Sequence, residues 1–470
     1  MPAALLERLD TSLGTGIERA VCAHHRRRLA RRGHHPLGAG PGGWASGGAF
    51  SPRAGTRAEL LVDGAEALPR MVEAVSAAQS HVHVAGWFFT PDFRMGEGGP
   101  TLKDLLADVA GRCDVRVLAW AGAPLPLFHP DRGEVRTMRD ELAKGTRIEV
   151  ELDAKERPMH CHHEKLVVVD DRVAFVGGID LTSFAGDRLD HSHHPPRRGL
   201  GWHDACMRLE GPIVADVAHH FALRWPRALP PTVPPGDEGG GLDAQLVRTV
   251  PERVYDGLPG GEFTIVESYV RALRGAQRLV YLESQFLWSP EVVAILSAKL
   301  REPPTDEFRV VVLLPAKPNN GADDTRGQIG VLVDAATQGG NPRRFLACTL
   351  FQPGPTGGPV YVHAKIGIVD DSWLTVGSAN LNEHSLFNDT EVNVVLRDES
   401  FVRAARLRLW SEHLQRPVEE LGGDPCGVVD ELWHPLAEER AEERKLRKLL
   451  HVSRRSRALL GPLNGLLVDG

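Results

Sequence analysis

The chain has 470 residues, 42% hydrophobic and 25% charged, with a formal net charge of −7. That composition excludes whole-chain disorder, the 49 glycines and 34 prolines exclude a coiled coil or long helical solenoid, and the length predicts about two to three domain-sized units. No apolar run reaches the roughly 18–20 residues that span a bilayer, the start Met1-Pro2-Ala3-Ala4-Leu5-Leu6-Glu7-Arg8 carries no secretory pattern, and the mild acidity gives no bulk attraction for nucleic acid, so a cytoplasmic protein with no nucleic-acid partner is expected.

In chain order, residues 1–50 combine His24-His25-Arg26-Arg27-Arg28 with a Gly-rich run from Leu37 to Gly48 and predict a loose basic arm. Helical spacing from Ala65 precedes a β-rich run at 82–89, and short apolar runs at 115–120, 148–152, 166–169, 173–176 and 205–209 read as strands. A Pro/Gly stretch from Leu229 to Gly241 breaks this pattern and predicts a linker over 228–260. A helix at 268–276 and strands at 279–283, 308–314, 345–350 and 361–369 then repeat the order. The fold class is therefore α/β with two similar halves, 51–227 and 261–416, followed by a basic, amphipathic tail over 417–470.

The duplication has a fixed register: His163/His363, Lys165/Lys365, Asp170/Asp370, Gly177/Gly377 and Leu181/Leu381 all stand 200 positions apart. Within each half the string is His-x-Lys-x-x-x-x-Asp, and two chance copies in one chain are not a serious competitor. Lysine is scarce, nine of the 55 basic residues, yet both copies place it two positions after the histidine. An ammonium is a compact point charge with three rotatable donors, suited to a phosphoryl oxygen whose charge changes during reaction.

Side chains at i and i+2 of a strand share a face, so each histidine and its lysine emerge together. Asp170 and Asp370 complete the motif and join the catalytic set. Asp170 has opposite parity to His163 and ends its strand, which favours a supporting role on the backbone. The motif is followed by small-residue turns, Gly177-Gly178-Ile179-Asp180 and Gly377-Ser378-Ala379-Asn380. Gly178, Asp180, Ser378 and Asn380 are candidate substrate-binding positions, and a carboxylate at Asp180 opposite Asn380 makes the halves chemically unequal. Two histidines and two lysines on one phosphodiester suffice for covalent catalysis without a metal or cofactor: one imidazole attacks phosphorus, the other serves the leaving and incoming oxygens, and the lysines neutralise the phosphoryl oxygens.

On these motifs the sequence resembles the phospholipase D superfamily from about residue 58 to 414. Tyr281-Leu282-Glu283-Ser284-Gln285-Phe286 is similar to the Tyr-Ile-Glu-Asn-Gln-Phe segment of phospholipase D proper, with Ser284 where Asn is frequent, and adds Gln285 to the substrate-binding candidates. Ala174 to Asp180 and the Trp202-His203-Asp204 strand resemble further motifs of that branch. The resemblance implies two pseudo-symmetric sandwiches sharing one active-site cleft and a phosphohistidine intermediate, with His163 as nucleophile and His363 as general acid. It also implies that Asp204 orients His363 and Glu391 orients His163, each acid opening the last strand of the opposite half.

The implied activity is a phospholipid phosphodiesterase or transphosphatidylase using water or an alcohol as acceptor. Cardiolipin synthesis is the alternative, and a catalytically silent lipid- or phosphate-binding protein a further one. The tail from Glu442 to Leu460 mixes basic and apolar residues and offers a means of peripheral membrane contact. Six scattered cysteines predict buried free thiols. The His160-Cys161-His162-His163 and His191-Ser192-His193-His194 clusters lack zinc-site spacing with a complementary second pair and predict no metal; the second predicts a mobile loop bordering the entrance.

Overall fold

The computed structural model describes residues 16, 19–125, 128–157, 160–183, 201–230, 240–318, 322–353, 358–439 and 445–449. The first half contributes β1 (Arg53–Val62), β2 (His81–Gly86), β3 (Asp114–Trp120), β4 (Glu149–Asp153), β5 (Leu166–Val169), β6 (Val173–Gly177), β7 (Gly201–His203) and β8 (Ala205–Glu210). Their ladder runs β4-β3-β2-β5-β6-β8-β1, parallel among β2, β3 and β4 and antiparallel elsewhere.

The second half contributes β9 (Leu242–Val250), β10 (Glu262–Phe263), β11 (Leu279–Glu283), β12 (Arg309–Leu313), β13 (Phe345–Gln352), β14 (Gly358–Val362), β15 (Ile366–Val369), β16 (Trp373–Gly377) and β17 (Glu391–Leu396). Here the ladder runs β13-β12-β11-β15-β16-β17-β9, again parallel among β11, β12 and β13. The two halves thus share one topology, and a short bulged pairing of β1 with β9 joins their sheets.

Both faces of each sheet are covered, which explains why β5 reads as an unbroken apolar run rather than an alternating one. Val167 and Val169 pack outward with the helices Asp63–Ser76, Leu102–Ala110 and Arg132–Ala143. Leu166 and Val168 instead join a central core that also holds Ile366, Ile368, Leu374 and Val376 of the other half, and the helices Ile213–Arg224 and Glu399–Leu414. This shared core fixes one half against the other. No described helix is long and apolar enough to cross a membrane.

Three expectations need correction. The basic arm is not loose: residues 19–30 form a helix that buries Leu29 and sets His25 Nδ1 2.8 Å from Glu291 Oε1, while Arg28 pairs with Glu252. The Gly-rich run after it is bound through its backbone, with Gln245 bracketing Ala45 and Glu267 accepting from the Ser46 and Gly47 amides. Glycine permits this, since a Cβ at position 48 would overlap Thr264 and Glu262.

The linker expected over 228–260 contains β9, a central strand paired to β17 and to β1. The tail expected over 417–470 begins with packed structure: Trp433 is fully buried beside Tyr281 and Trp410, and β18 (Leu446–Lys448) adds to β13. The rest of that tail, and the 191–194 histidine cluster, lie outside the described residues. All six cysteines are free thiols, four of them buried.

Candidate active site

The residues ahead of β5 and β15 carry the two motifs, and each is stitched to the opposite half by backbone hydrogen bonds. On one side β14 runs parallel to β7, and the His363 amide donates to the His203 carbonyl at 2.8 Å. On the other, His162 bridges Thr390 and the His163 amide donates to the Thr390 carbonyl at 3.0 Å. The carbonyl that receives each histidine belongs to the residue just before an acid. The crossing therefore delivers Asp204 to His363 and Glu391 to His163: His363 Nδ1 lies 2.7 Å from Asp204 Oδ2, and His163 Nδ1 lies 2.9 Å from Glu391 Oε1. All four groups are buried.

The lysines complete the arrangement. Lys165 Nζ donates to the His163 carbonyl at 2.8 Å and sits 3.4 Å from Asp180 Oδ1, and Lys365 Nζ donates to the His363 carbonyl. The charges of both halves act on one another across the cleft. Burial and then Lys365, assisted by Lys165 and His163, hold His363 well below the ordinary imidazole value. Burial pulls Lys365 down to about 8, against the attraction of Asp204. Burial pushes Asp204 up to about 6 and Glu391 up to about 8, the lysines pulling the other way.

Several sequence candidates stand elsewhere. Asp170 and Asp370 lie at the far ends of β5 and β15, outside the catalytic set, where each carboxylate accepts three successive backbone amides: Gln79 to His81 for Asp170, Gln277 to Leu279 for Asp370. Both adopt the left-handed conformation, with φ of 54° and 51°, so each turn follows a strand end pinned by its own side chain. Ser378 is not turned to a phosphate, because its hydroxyl donates to Glu391 Oε2. Gly178 spends its amide on the Ala205 carbonyl; its lack of a side chain instead makes room for Asp204. Asp180 is engaged with Lys165. Gln285 donates to the Tyr361 hydroxyl at 2.8 Å and lies 3.4 Å from the Asn380 amide nitrogen, linking these candidates behind the histidines.

Sequence reasoning missed three contributors. Ser385 adds a second hydroxyl to Glu391 at 2.6 Å. Trp202 and Tyr361 stack at 4.7 Å between centroids and wall in His363, with Trp202 5.0 Å from its ring. Tyr361 stands two positions before His363, the spacing at which alternate residues of an extended chain share a face. Beside the site, a recess of about 590 Å³ is lined by Phe88, Phe89, Pro91 and Met138 together with Asp92, Glu134 and Glu141. The two phenylalanines also border the small space that reaches Lys165 and Asp180.

Residues 269–411 match the family model described as Cardiolipin synthase, PLD-like domain. The chain is 25% identical to Phospholipase D A of Dictyostelium discoideum over 78% of its own length and 36% of that protein's, so it spans about a third of that relative. It is 24% identical to the major cardiolipin synthase ClsA of Bacillus subtilis (strain 168), over 77% of this chain and 72% of the other. In fold it is similar to phosphatidylserine synthase of Haemophilus influenzae Rd KW20, with a TM-score of 0.56 at 11% identity, covering 84% of this chain and 95% of that one.

Proposed function

Because the chain belongs to the phospholipase D superfamily, we propose that it cleaves a phospholipid phosphodiester on the headgroup side and passes the phosphatidyl group to water or an alcohol. The observation that supports this reading is the crossed pairing of His163 with Glu391 and His363 with Asp204, with the lysines of both halves acting on His363. With Nδ1 of each ring turned to its acid, Nε2 is the nitrogen turned away from it.

In the first step the His163 Nε2 lone pair forms a bond to phosphorus while the bond to the headgroup oxygen breaks, and that oxygen takes a proton from His363. In the second, water or an alcohol loses a proton to His363 and attacks phosphorus. The P–N bond then breaks and His163 is regenerated. Lys165 and Lys365 neutralise the phosphoryl oxygens throughout, and each acid steadies the cationic form of its ring. The phenylalanine-lined recess is a place for an apolar part of the substrate.

The test is a phospholipid labelled in its phosphatidyl group, quenched in alkaline denaturant where a phosphohistidine persists. Label is expected on the wild type and on His363→Ala, with none on His163→Ala. Turnover without label on the wild type would refute the covalent route. A second reading, phosphatidyl transfer to a lipid glycerol as in cardiolipin synthesis, is favoured by the match over residues 269–411 and by the long coverage of the Bacillus relative. Supplying phosphatidylglycerol as the only lipid separates the two: cardiolipin accumulates under the second reading, phosphatidic acid under the first.

A further inference from the structure

The two crossings between the halves are unequal. Where His363 is delivered, β14 and β7 share three residue pairs, Val360 with Gly201, Tyr361 with Trp202 and Val362 with His203. Where His163 is delivered, the ladder is reduced to the single bridge of His162 with Thr390. Around that weaker crossing the chain gathers three metal-competent side chains: His160 from the first half, His384 and Asp389 from the second.

Their local structure explains the convergence. Residues His384–Asn388 form one π-turn, in which the Asp389 amide donates to the His384 carbonyl at 2.8 Å, so the turn closes over five residues and brings the two side chains together. On the other strand the Cys161 amide donates to Asp389 Oδ1 at 2.9 Å, which sets His160 beside the same carboxylate. The donor atoms lie 3.0 Å apart (His160 Nδ1 to His384 Nδ1), 3.4 Å (His160 Nδ1 to Asp389 Oδ1) and 4.0 Å (His384 Nδ1 to Asp389 Oδ2). Ligands about 2.0–2.1 Å from a tetrahedral zinc are separated by roughly 3.3–3.4 Å, so small side-chain shifts suffice to make this triangle one face of such a site.

A second observation points to a ligand. Asp389 is fully buried, and its Oδ2 has no hydrogen-bond partner among the described residues. A buried carboxylate oxygen left in this state is costly, and a cation coordinated by it removes the cost. The sequence clue was half present: the His160-Cys161-His162-His163 cluster lacked a complementary pair nearby in the chain, and the fold supplies that pair from more than two hundred residues away.

We propose that His160, His384 and Asp389 bind one divalent transition-metal ion of the zinc class, with a solvent or additional ligand in the fourth position. The ion clamps the crossing that carries His163 onto Glu391: His160 stands three residues before that histidine, and Asp389 two residues before that acid. Its role is positional, and no step at phosphorus passes through it. The proposal does not rest on the phosphodiesterase reading, since its test measures metal and stability rather than turnover.

The experiment uses the untagged full-length chain, stripped with chelator and titrated with Zn²⁺ by calorimetry, with Co²⁺ as spectroscopic probe. The wild type is expected to bind an equivalent of zinc that His160→Ala and His384→Ala each weaken by more than about tenfold, the loss that even changes to supporting residues cause. Co²⁺ should give tetrahedral d–d absorption that both substitutions abolish. Zinc should also raise the melting temperature of the wild type and leave that of His160→Ala unmoved. Should either histidine variant fail to fold, Asp389→Asn is read by the same titration. Absence of stoichiometric zinc in the wild type, or identical stoichiometry and affinity in the folded variants, would overturn the proposal.

Discussion

A methyl group at position 178 tests the crossed geometry without touching a reacting group. Gly178 is not among the positive-φ residues, so alanine fits its backbone. Its Cβ, however, would stand 2.2 Å from Asp204 Oδ1 and 3.0 Å from Asp204 Cγ, where ordinary contact begins at 3.4 Å, so the carboxylate must retreat by about 1.2 Å. Asp204 has little freedom to do so, because Oδ1 accepts from the Ala205 amide at 2.8 Å and Oδ2 faces His363 at 2.7 Å. Loss of one hydrogen bond to a charged group is worth about 1.5–3 kcal/mol, which in the transition state is roughly a tenfold to hundredfold fall in kcat. Initial rates of headgroup release give kcat and KM separately, with urea unfolding to verify the fold. Gly423→Ala, where nothing lies within 4 Å, is the control. Wild-type kcat in Gly178→Ala would refute the claim that Asp204 acts through His363.

Further consequences are equally direct. Burial lifts Glu391 to about 8 from 4.5, so the folded state binds this proton more tightly and loses stability as pH rises between those values. Glu391→Gln removes that liability. Its stability gain over wild type, measured by urea unfolding, should be larger at pH 9 than at pH 5 while turnover collapses, and an equal gain at both would contradict the reasoning. Asp170→Ala removes three amide contacts far from the cleft and should cost about 2 kcal/mol of stability with kcat intact; a large loss of kcat in a folded variant would return Asp170 to the catalytic set. Arg224→Met removes the guanidinium shared by the buried carboxylates of Asp153 and Glu164 and should cost about 3–5 kcal/mol in the same assay, with a neutral effect arguing that neither is ionised.

The legible parts of this molecule were those where one residue type recurs under one constraint. The paired His-x-Lys strings, 200 positions apart, announced two like α/β halves because each string stands just ahead of the same strand of its sheet, β5 in one and β15 in the other. Apolar runs such as Leu166 to Val169 announced strands buried on both faces. β9 was missed because it follows directly on the Pro/Gly stretch and carries Asp243, Gln245 and Arg248 among its apolar residues. Two of these polar side chains are buried, with partners, Ala45 for Gln245 and Glu262 for Arg248, that are distant or not periodic. Ser385 left no signal at all, since a π-turn has no hydrophobic period. A Gly-rich run suggests freedom, whereas in the fold Gly43, Gly47 and Gly48 are clearance for Arg397, Glu267 and Thr264.

The unequal surroundings of the two histidines bear on how a proton donor arises in a cleft that disfavours one. His363 is buried, walled by Trp202 and Tyr361, and pressed by two ammonium groups, all of which disfavour its protonated form. A general acid must carry a proton before the headgroup leaves. A bound phosphodiester supplies the missing condition: its negative charge between Lys165 and Lys365 cancels their repulsion and, a few ångströms from the ring, favours the imidazolium that Asp204 can support. On the proposed mechanism the acid is then created by the substrate's own charge. An inert phosphate mimic such as tungstate should therefore raise the imidazole titration of His363, followed by nitrogen-15 NMR with His363→Ala for assignment. Lys365→Met, which removes the ammonium that weighs more on the ring, should raise it even without the mimic. An identical titration with and without the anion would mean that the proton is held by some other group, and the division of labour between the two imidazoles would have to be redrawn.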